Sequence, residues 1–385
     1  MKWGLETTRR LLDVLGNPQR HFASVHIGGT NGKGSTAAFL AAMLRAEGLR
    51  VGLYTSPHLV SFTERMQVDG VPVAEAAVAS WATRLEETAE RLEASFFEIT
   101  TAIAFADFAA RGVEIAVVEV GLGGRLDSTN VIEPLASGVT RIALEHTEYL
   151  GHDLAGIARE KAAIAKPTAP FFTTETDPGL LATMREVVLA AGTAFIAVDP
   201  ASASGRRLGL AGPHQVANAS LAMAMAGSLP PPFRPGADAV SGGLLSARIP
   251  GRFDRRGPWL FDVAHNPDGI RALTRALDDE HVPRPLVAVV SVLRDKAWEE
   301  MLAELGRAAD ALILTRAPSS PAERAWDLDE VAAWCQGEGL TASIEPGFER
   351  ALESARGRGG TALVTGSFHT VGDAMARLPG FSPLG

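Results

Sequence analysis

Val25-His26-Ile27-Gly28-Gly29-Thr30-Asn31-Gly32-Lys33-Gly34-Ser35 decides how the rest of this chain is read. The apolar run Phe22 to Ile27 predicts a buried strand. Thr36-Ala37-Ala38-Phe39-Leu40-Ala41-Ala42-Met43-Leu44, just behind, predicts a helix. A strand, a glycine-dense turn with one lysine, and a helix together make a cradle for polyphosphate. Glycines let backbone N–H groups face the anion, the helix start adds its positive dipole end, and the lysine reaches the outer phosphates. The usual phosphate-loop spacing has Gly at position 27 and Ser or Thr at 34. This chain has Ile27 and Gly34, with its hydroxyls at Ser35 and Thr36. Asn31-Gly32 is also a hairpin dipeptide. A hairpin needs a second strand straight after it, and the Ala- and Leu-rich run is helical instead.

Working outward, 385 residues predict two domains. An apolar fraction of 46% with 21% charged residues belongs to an ordinary globular protein with a large core. A net charge of −9, from 36 basic and 45 acidic residues, argues against a general nucleic-acid binder. The single cysteine, Cys335, excludes an internal disulfide and a cysteine-held zinc, which fits a reducing, cytoplasmic setting. Met1 to Glu6 lacks a signal-peptide stretch, and no apolar run approaches about 18 residues, so no membrane span is expected.

Leu5 to Leu15 reads as an amphipathic helix. Further strands are expected at Arg50–Tyr54, Ile115–Val120 and near 135–143, 169–173 and 194–198. Helices are expected near 74–93, 98–111, 153–166, 178–191, 213–228 and 236–246. The alternation restarts after Ile249-Pro250-Gly251-Arg252. Strands then lie near 259–263, 285–292, 310–315, 341–344 and 361–365, with helices near 267–279, 297–308, 326–336, 347–356 and 367–377. This is an α/β chain with mostly parallel sheets, a larger domain over 1–247 and a smaller one over 248–385. Ligands in open α/β sheets bind beyond strand C-termini, so the loops at 28–35, 55–58, 119–130 and 262–269 are expected to meet in one cleft.

Glu119 ends an apolar strand and faces the phosphate loop, where a carboxylate holds magnesium; the bland alternative is a strand-end Glu pointing to solvent. His146 is either a satisfied structural histidine or a metal ligand. Lys161 is the charged member of an apolar helix stripe with Leu154, Ile157, Ala158, Ile164 and Ala165. Either its head snorkels to water, or its desolvated amine is partly neutral and open to covalent chemistry. His214 and Asn218 share a helix face, suited to nucleotide contacts or to capping. Asn266 before Pro267 is equally a plausible N-cap. Gly121-x-Gly123-Gly124 lacks the dinucleotide spacing, so NAD binding is not expected.

Taken together, the chain resembles the folylpolyglutamate synthase and dihydrofolate synthase family of the Mur ligase superfamily. The resemblance rests on Gly29 to Ser35, Thr55-Ser56-Pro57-His58-Leu59, Phe97-Glu98, Glu119 to Asp127, Gly212-Pro213-His214-Gln215 with Asn218, Pro250 to Phe253, and Asp262 with Ala264 to Pro267. The Gly after Lys33, foreign to the ordinary phosphate loop, is usual in this family. The resemblance implies a Mur-ligase-like fold: a P-loop ATP-binding parallel-sheet domain, then a smaller Rossmann-like domain. It implies that Gly29, Thr30, Asn31, Gly32, Lys33, Gly34 and Ser35 hold the ATP phosphates. Asn218, Arg252, Asp262 and His265 would contact the nucleotide. Ser56, Glu119 and His146 would bind Mg2+. Lys33, Lys161 and His146 would carry the chemistry, with Lys161 carbamylated. Phe97, Glu98, Leu126, Asp127 and Ser128 would line the substrate site.

The implied activity is ATP-dependent addition of L-glutamate to folate, and to dihydropteroate, through an acyl phosphate, in a monomeric cytoplasmic enzyme. Glu145 stands where an Asp commonly precedes the histidine, and Val263 where Gly is common. The chain begins close to the first matched helix, so glutamate addition to folate is the primary expectation. A cell-wall Mur ligase shares the phosphate loop, metal carboxylate and carbamylated lysine, and an ATP-cycling binding module is the non-enzymatic alternative.

Overall fold

A computed structural model describes residues 4–144 and 147–378, the side chains of Thr147 and Glu148 excepted. The chain divides into two compact units. One comprises Met1–His58, Phe62–Gly209 and Gln215–Arg248; the other comprises Leu59–Ser61, Leu210–His214 and Ile249–Gly385.

In chain order, the first unit holds α1 (Glu6–Val14), β1 (Ala23–Gly28), α2 (Lys33–Ala46), β2 (Val51–Tyr54), β3 (Met66–Val68) and β4 (Val71–Pro72). Next come α3 (Glu75–Leu92), α4 (Phe96–Ala110), β5 (Ile115–Glu119), β6 (Ala136–Val139), α5 (Thr147–Leu150) and α6 (Leu154–Ala162). β7 (Phe171–Thr173), α7 (Pro178–Ala190), β8 (Phe195–Ala197), α8 (His214–Ser228, whose first residue belongs to the other unit) and α9 (Ala237–Ser246) follow. The eight strands run β4-β3-β2-β5-β1-β6-β7-β8, parallel from β2 to β8. β1 and β5 are largely apolar because both their faces are covered. Ala116 and Val118 of β5 meet Phe105 and Phe108 of α4 on one face. On the other, Val139 of β6 and Phe171 of β7 meet Ile157 and Ala158 of α6 and Met184 of α7.

In the second unit, β9 (Asp254–Arg256), β10 (Trp259–Phe261), α10 (Pro267–Asp279), β11 (Leu286–Val290), α11 (Trp298–Ala308) and β12 (Ala311–Leu314) come first. α12 (Leu328–Gly337), β13 (Ala342–Ile344), α13 (Phe348–Gly357), β14 (Thr361–Thr365) and α14 (Phe368–Arg377) complete it. The six-stranded order is β13-β12-β11-β14-β10-β9, parallel except for β9. β11 shows the pleat directly. Leu286, Ala288 and Val290 pack with Leu273 of α10, Leu302 of α11 and Val331 of α12, whereas Val287 and Val289 pack with Leu352 of α13 and Val371 of α14. The last strand, β14, sits between β10 and β11. The β10 and β11 loops therefore lead to helices on one face and the β14 loop to a helix on the other, which makes their C-terminal ends the point where the sheet changes winding direction.

Both sheets are mostly parallel, as expected, with antiparallel additions that apolar patterning did not anticipate. β3 and β4 form a hairpin through Asp69-Gly70, and β9 is three polar residues long. Several expected elements are shorter, two of them beside the phosphate loop. The strand near 135–143 is Ala136–Val139, and the helix near 153–166 ends at Ala162. No helix among the described residues is long and apolar enough to cross a membrane.

Candidate active site

The first loop leaves β1 at Gly28 in the middle of its sheet. Gly29 has φ +131°, and a Cβ there would lie 1.8 Å from Thr140 Oγ1. Thr30 N donates to Arg141 O (2.9 Å) and Thr30 Oγ1 to Ala143 O (3.1 Å), which straps the loop to the segment after β6. Gly32, at φ +93°, precedes α2 without a side-chain cap, so the positive end of the helix dipole faces out of the loop. A Cβ on Gly32 would meet Asn218 Oδ1 at 2.2 Å: the amide of α8 lies directly against the loop. Gln215 Oε1 accepts from Asn218 Nδ2 (2.9 Å) and fixes that amide. Lys33 Nζ folds over the loop, donating to Gly29 O (3.1 Å) and Thr30 O (2.9 Å).

Lys161 reaches the same atom. Its Nζ donates to Gly29 O at 2.8 Å, and the residue is only 4% exposed. Of the two readings open for this residue, the snorkelling one is therefore excluded. Two lysine heads converge on one carbonyl oxygen. α6 comes this close because Gly124 has no side chain: a Cβ there would be 2.7 Å from Glu160 O. Arg125 N donates to Glu160 O (3.0 Å) and completes the dock.

Glu119 is the last residue of β5 and pairs in register with Ile27 of β1. It is 4% exposed, which excludes the solvent-pointing alternative, and its Oε2 accepts from Ser56 N (3.2 Å) on the loop after β2. Ser56 and Glu119, expected to share a metal, are thus adjacent. His146 lies outside the described residues. Among the described residues no cluster of His, Cys, Asp and Glu side chains is complete enough to hold a metal ion.

The loop after β5 is built around Asp127. Its Oδ2 accepts from Gly121 N (3.1 Å) and Leu122 N (2.8 Å), its Oδ1 from Thr129 N (3.0 Å) and, at very short range, from Thr129 Oγ1. Burial pushes this carboxyl above the usual carboxylate range, and those hydrogen bonds pull it back. Ser128 is buried and Leu126 half-buried. Phe97 covers Gly121, where a Cβ would lie 2.4 Å from its ring, and packs on Tyr54 at 6.0 Å between centroids. Glu98 closes a capping box, its Oε2 accepting from Ser95 N and Oγ at 2.7 Å each.

In the second unit, Arg252 lies 5.5 Å from the centroid of Phe368, and the His265 ring 5.3 Å. Buried Asp262 accepts from Phe253 N and Ala264 N, both at 2.9 Å; burial pushes its carboxyl up while Arg252 opposes the shift. Burial and Arg252 lower the His214 imidazole to about 4, partly offset by Asp268. Asn266 takes the capping role, accepting from Gly269 N (2.8 Å) with Pro267 as the first helical residue.

Residues 27–188 match the Mur ligase middle domain and residues 251–368 the Mur ligase glutamate ligase domain. A Bacillus subtilis dihydrofolate synthase/folylpolyglutamate synthase is 31% identical over 98% of this chain and 95% of its own length. The chain belongs to the folylpolyglutamate synthase/dihydrofolate synthase family. It is accordingly an ATP-dependent ligase, and relatives from Bacillus subtilis, Haloferax volcanii and Mycobacterium tuberculosis carry folylpolyglutamate synthase names. A Haloferax volcanii relative named a probable bifunctional folylpolyglutamate synthase/dihydropteroate synthase is 35% identical over 97% of this chain; the chain spans about half (48%) of that relative. A Mycobacterium tuberculosis folylpolyglutamate synthase complexed with ADP superposes with a TM-score of 0.88 at 33% identity, covering 98% of this chain and 95% of that one. The bifunctional synthase of Yersinia pestis complexed with AMPPNP and Mn ion gives 0.85 at 30% identity, covering 98% and 93%.

Within this ligase the fold brings Gly29 to Ser35, Lys161 and Asn218 together at one loop, and Arg252 and His265 around one ring. Sequence reasoning missed that ring: Phe368 follows β14, whose place beside β10 only the sheet order reveals. It also missed Arg65, which donates from Nε to His58 Nδ1 (2.9 Å) and lies over Phe96.

Proposed function

We propose that this ligase joins L-glutamate to the free carboxylate of a folate, and also to that of dihydropteroate, by way of an acyl phosphate. One observation carries the reading: two lysines converge on the carbonyl of Gly29, one strand away from a buried carboxylate at the end of β5. Lys33 and the start of α2 hold the ATP phosphates and offset the charge of the transferring phosphoryl group. Asn218, Arg252, Asp262 and His265 contact the nucleotide. Ser56, Glu119 and His146 hold magnesium; the buried Glu119 carboxylate beside the Ser56 backbone fits a hard cation. When bound, that ion supplies further charge compensation for the phosphates. Phe97, Leu126, Asp127 and Ser128, with Glu98 capping their helix, shape the acceptor side.

The acceptor carboxylate oxygen attacks the terminal phosphorus and ADP leaves. The glutamate amine then attacks the acyl carbon, phosphate departs, and the amine proton goes to solvent. No side-chain nucleophile takes part. Lys161 we assign as a carbamate. Two cations beside one carbonyl oppose each other, whereas a carbamate turns one of them into an anion that Lys33 can face. Carbon-13 NMR of the native enzyme in labelled bicarbonate is expected to show a carbamate signal absent from Lys161→Met; an identical spectrum for the two would remove the modification.

ADP release is the deciding assay, with dihydropteroate, tetrahydrofolate and a nucleotide-linked muropeptide as acceptors. Release that requires both glutamate and a folate-type acceptor is expected. Release indifferent to both, or driven by the muropeptide, would overturn the reading. A monomer in the cytoplasm completes the proposal, with equilibrium sedimentation as its check.

A further inference from the structure

β1 carries a histidine buried in the core just ahead of the phosphate loop: His26, fully inaccessible to solvent. Its Nε2 lies 2.8 Å from Thr129 Oγ1, and Thr129 Oγ1 in turn lies on Asp127 Oδ1. Asp127 Oδ2 holds the N–H groups of Gly121 and Leu122. A single line of hydrogen bonds therefore runs from the strand that delivers the phosphate loop to the loop that follows β5. That second loop touches Phe97 through Gly121 and the Lys161 helix through Gly124.

The direction of the line follows from counting donors. Asp127 Oδ1 already accepts from Thr129 N and Oδ2 from Gly121 N and Leu122 N, so both oxygens act as acceptors and the Thr129 hydroxyl gives its hydrogen to Asp127. Thr129 Oγ1 then has only lone pairs left for His26, and His26 must donate from Nε2. Its Nδ1 is left bare, and it finds no partner among the described residues. A buried acceptor without a partner is costly, and it is tolerated here because the other nitrogen is committed. Burial and Lys166 lower the imidazole to about 3, so the ring stays neutral and the pattern does not change with pH in the working range.

We infer that His26, as its Nε2–H tautomer, is a positioning residue: through Thr129 it sets the orientation of Asp127 and so the acceptor side of the site. The inference rests on the folate-ligase reading above, in which the loop after β5 lines the acceptor. His26 touches no reactant; it acts through Thr129 and Asp127.

The test measures KM for acceptor and for ATP, kcat and melting temperature in His26→Leu, His26→Gln, Thr129→Val, Thr129→Ser and the pair His26→Leu/Thr129→Val. Loss of one buried hydrogen bond is expected to raise acceptor KM about tenfold in His26→Leu and Thr129→Val, with ATP KM within about twofold. The double variant should be no worse than either single one. Gln places an amide N–H where the imidazole N–H was, and Ser keeps the hydroxyl, so both should restore acceptor KM to within about threefold of wild type. Nitrogen-15 spectra of histidine-labelled enzyme should include a neutral Nε2–H ring signal that disappears in His26→Gln.

Equal rises in both KM values, or a fall in melting temperature with acceptor KM unmoved, would reduce His26 to a packing residue. So would an Nδ1–H tautomer. If His26→Leu does not fold, Thr129→Val and His26→Gln still decide the matter. Failure of the folate reading looks different: the wild-type enzyme itself would then show no acceptor-dependent ADP release, while the tautomer spectrum would stand.

Discussion

Replacing Gly32 with alanine tests the phosphate loop at its tightest point. The residue sits at φ +93°, and the new Cβ would lie 2.2 Å from Asn218 Oδ1. Holding an alanine in left-handed backbone costs about 1–2 kcal/mol. The Asn218 amide must also move, and giving up its bond to Gln215 leaves a buried amide short of a partner, about 1–3 kcal/mol more. The expected destabilisation of Gly32→Ala is therefore about 2–5 kcal/mol. The two parts separate in a cycle with Asn218→Ala, which removes the atom that clashes. In that background Gly32→Ala should cost only its backbone share, giving a coupling of about 1–3 kcal/mol. Urea denaturation of the four proteins measures it, and calorimetric ADP titration reports whether the displaced amide also weakens nucleotide binding. Strictly additive costs would refute the idea that Asn218 lies against Gly32.

Lys33→Met is expected to lower folate-dependent ADP release by about 10²–10³-fold with little change in melting temperature, and turnover within about threefold of wild type would remove its phosphate role. Glu119→Gln should raise the magnesium concentration for half-maximal activity about 10–100-fold in a magnesium titration; an unchanged curve would take Glu119 out of the metal site. The pH dependence of stability follows from His26 and His214, lowered to about 3 and about 4 in the folded chain. Below the ordinary value near 6.5 the unfolded chain binds protons that the folded chain refuses. Stability therefore falls as pH drops from about 6.5 towards 3–4, by up to about 1.4 kcal/mol per pH unit for each histidine. Urea midpoints measured from pH 7 to pH 4 check this, and His26→Gln should flatten the slope.

Where elements are long and apolar, the sequence alone is enough to place them. Ile115–Glu119 and Leu286–Val290 read as strands covered on both faces because they are short, continuous and rich in Val and Ile, and the longer Ala-rich run after Lys33 reads as a helix. The Asn-Pro pair at 266–267 names its own cap. The β3–β4 hairpin is less visible because its strands are short and its signal is confined to Asp69-Gly70. β9 is invisible to hydrophobic patterning because Asp254, Arg255 and Arg256 take their order from β10, not from burial. At the site, spacing alone gives the loop and its lysine. It does not give Lys161 on Gly29, or Asn218 on Gly32, since those contacts depend on how far α6 and α8 approach. Asp127 and Glu98 show the reverse: residues expected to face a substrate spend much of their bonding capacity shaping their own backbone.

The position of β14 has a consequence for synthesis. β10 and β11 leave the ribosome well before the strand that joins them, because Thr361–Thr365 lies between the two in the sheet and bonds to both. Until that segment emerges, the growing chain carries β10 with only its short polar neighbour and β11 with one edge bare. Such apolar edges invite pairing with other chains, so translation of this half of the protein passes through a state in which they stay open until β14 emerges.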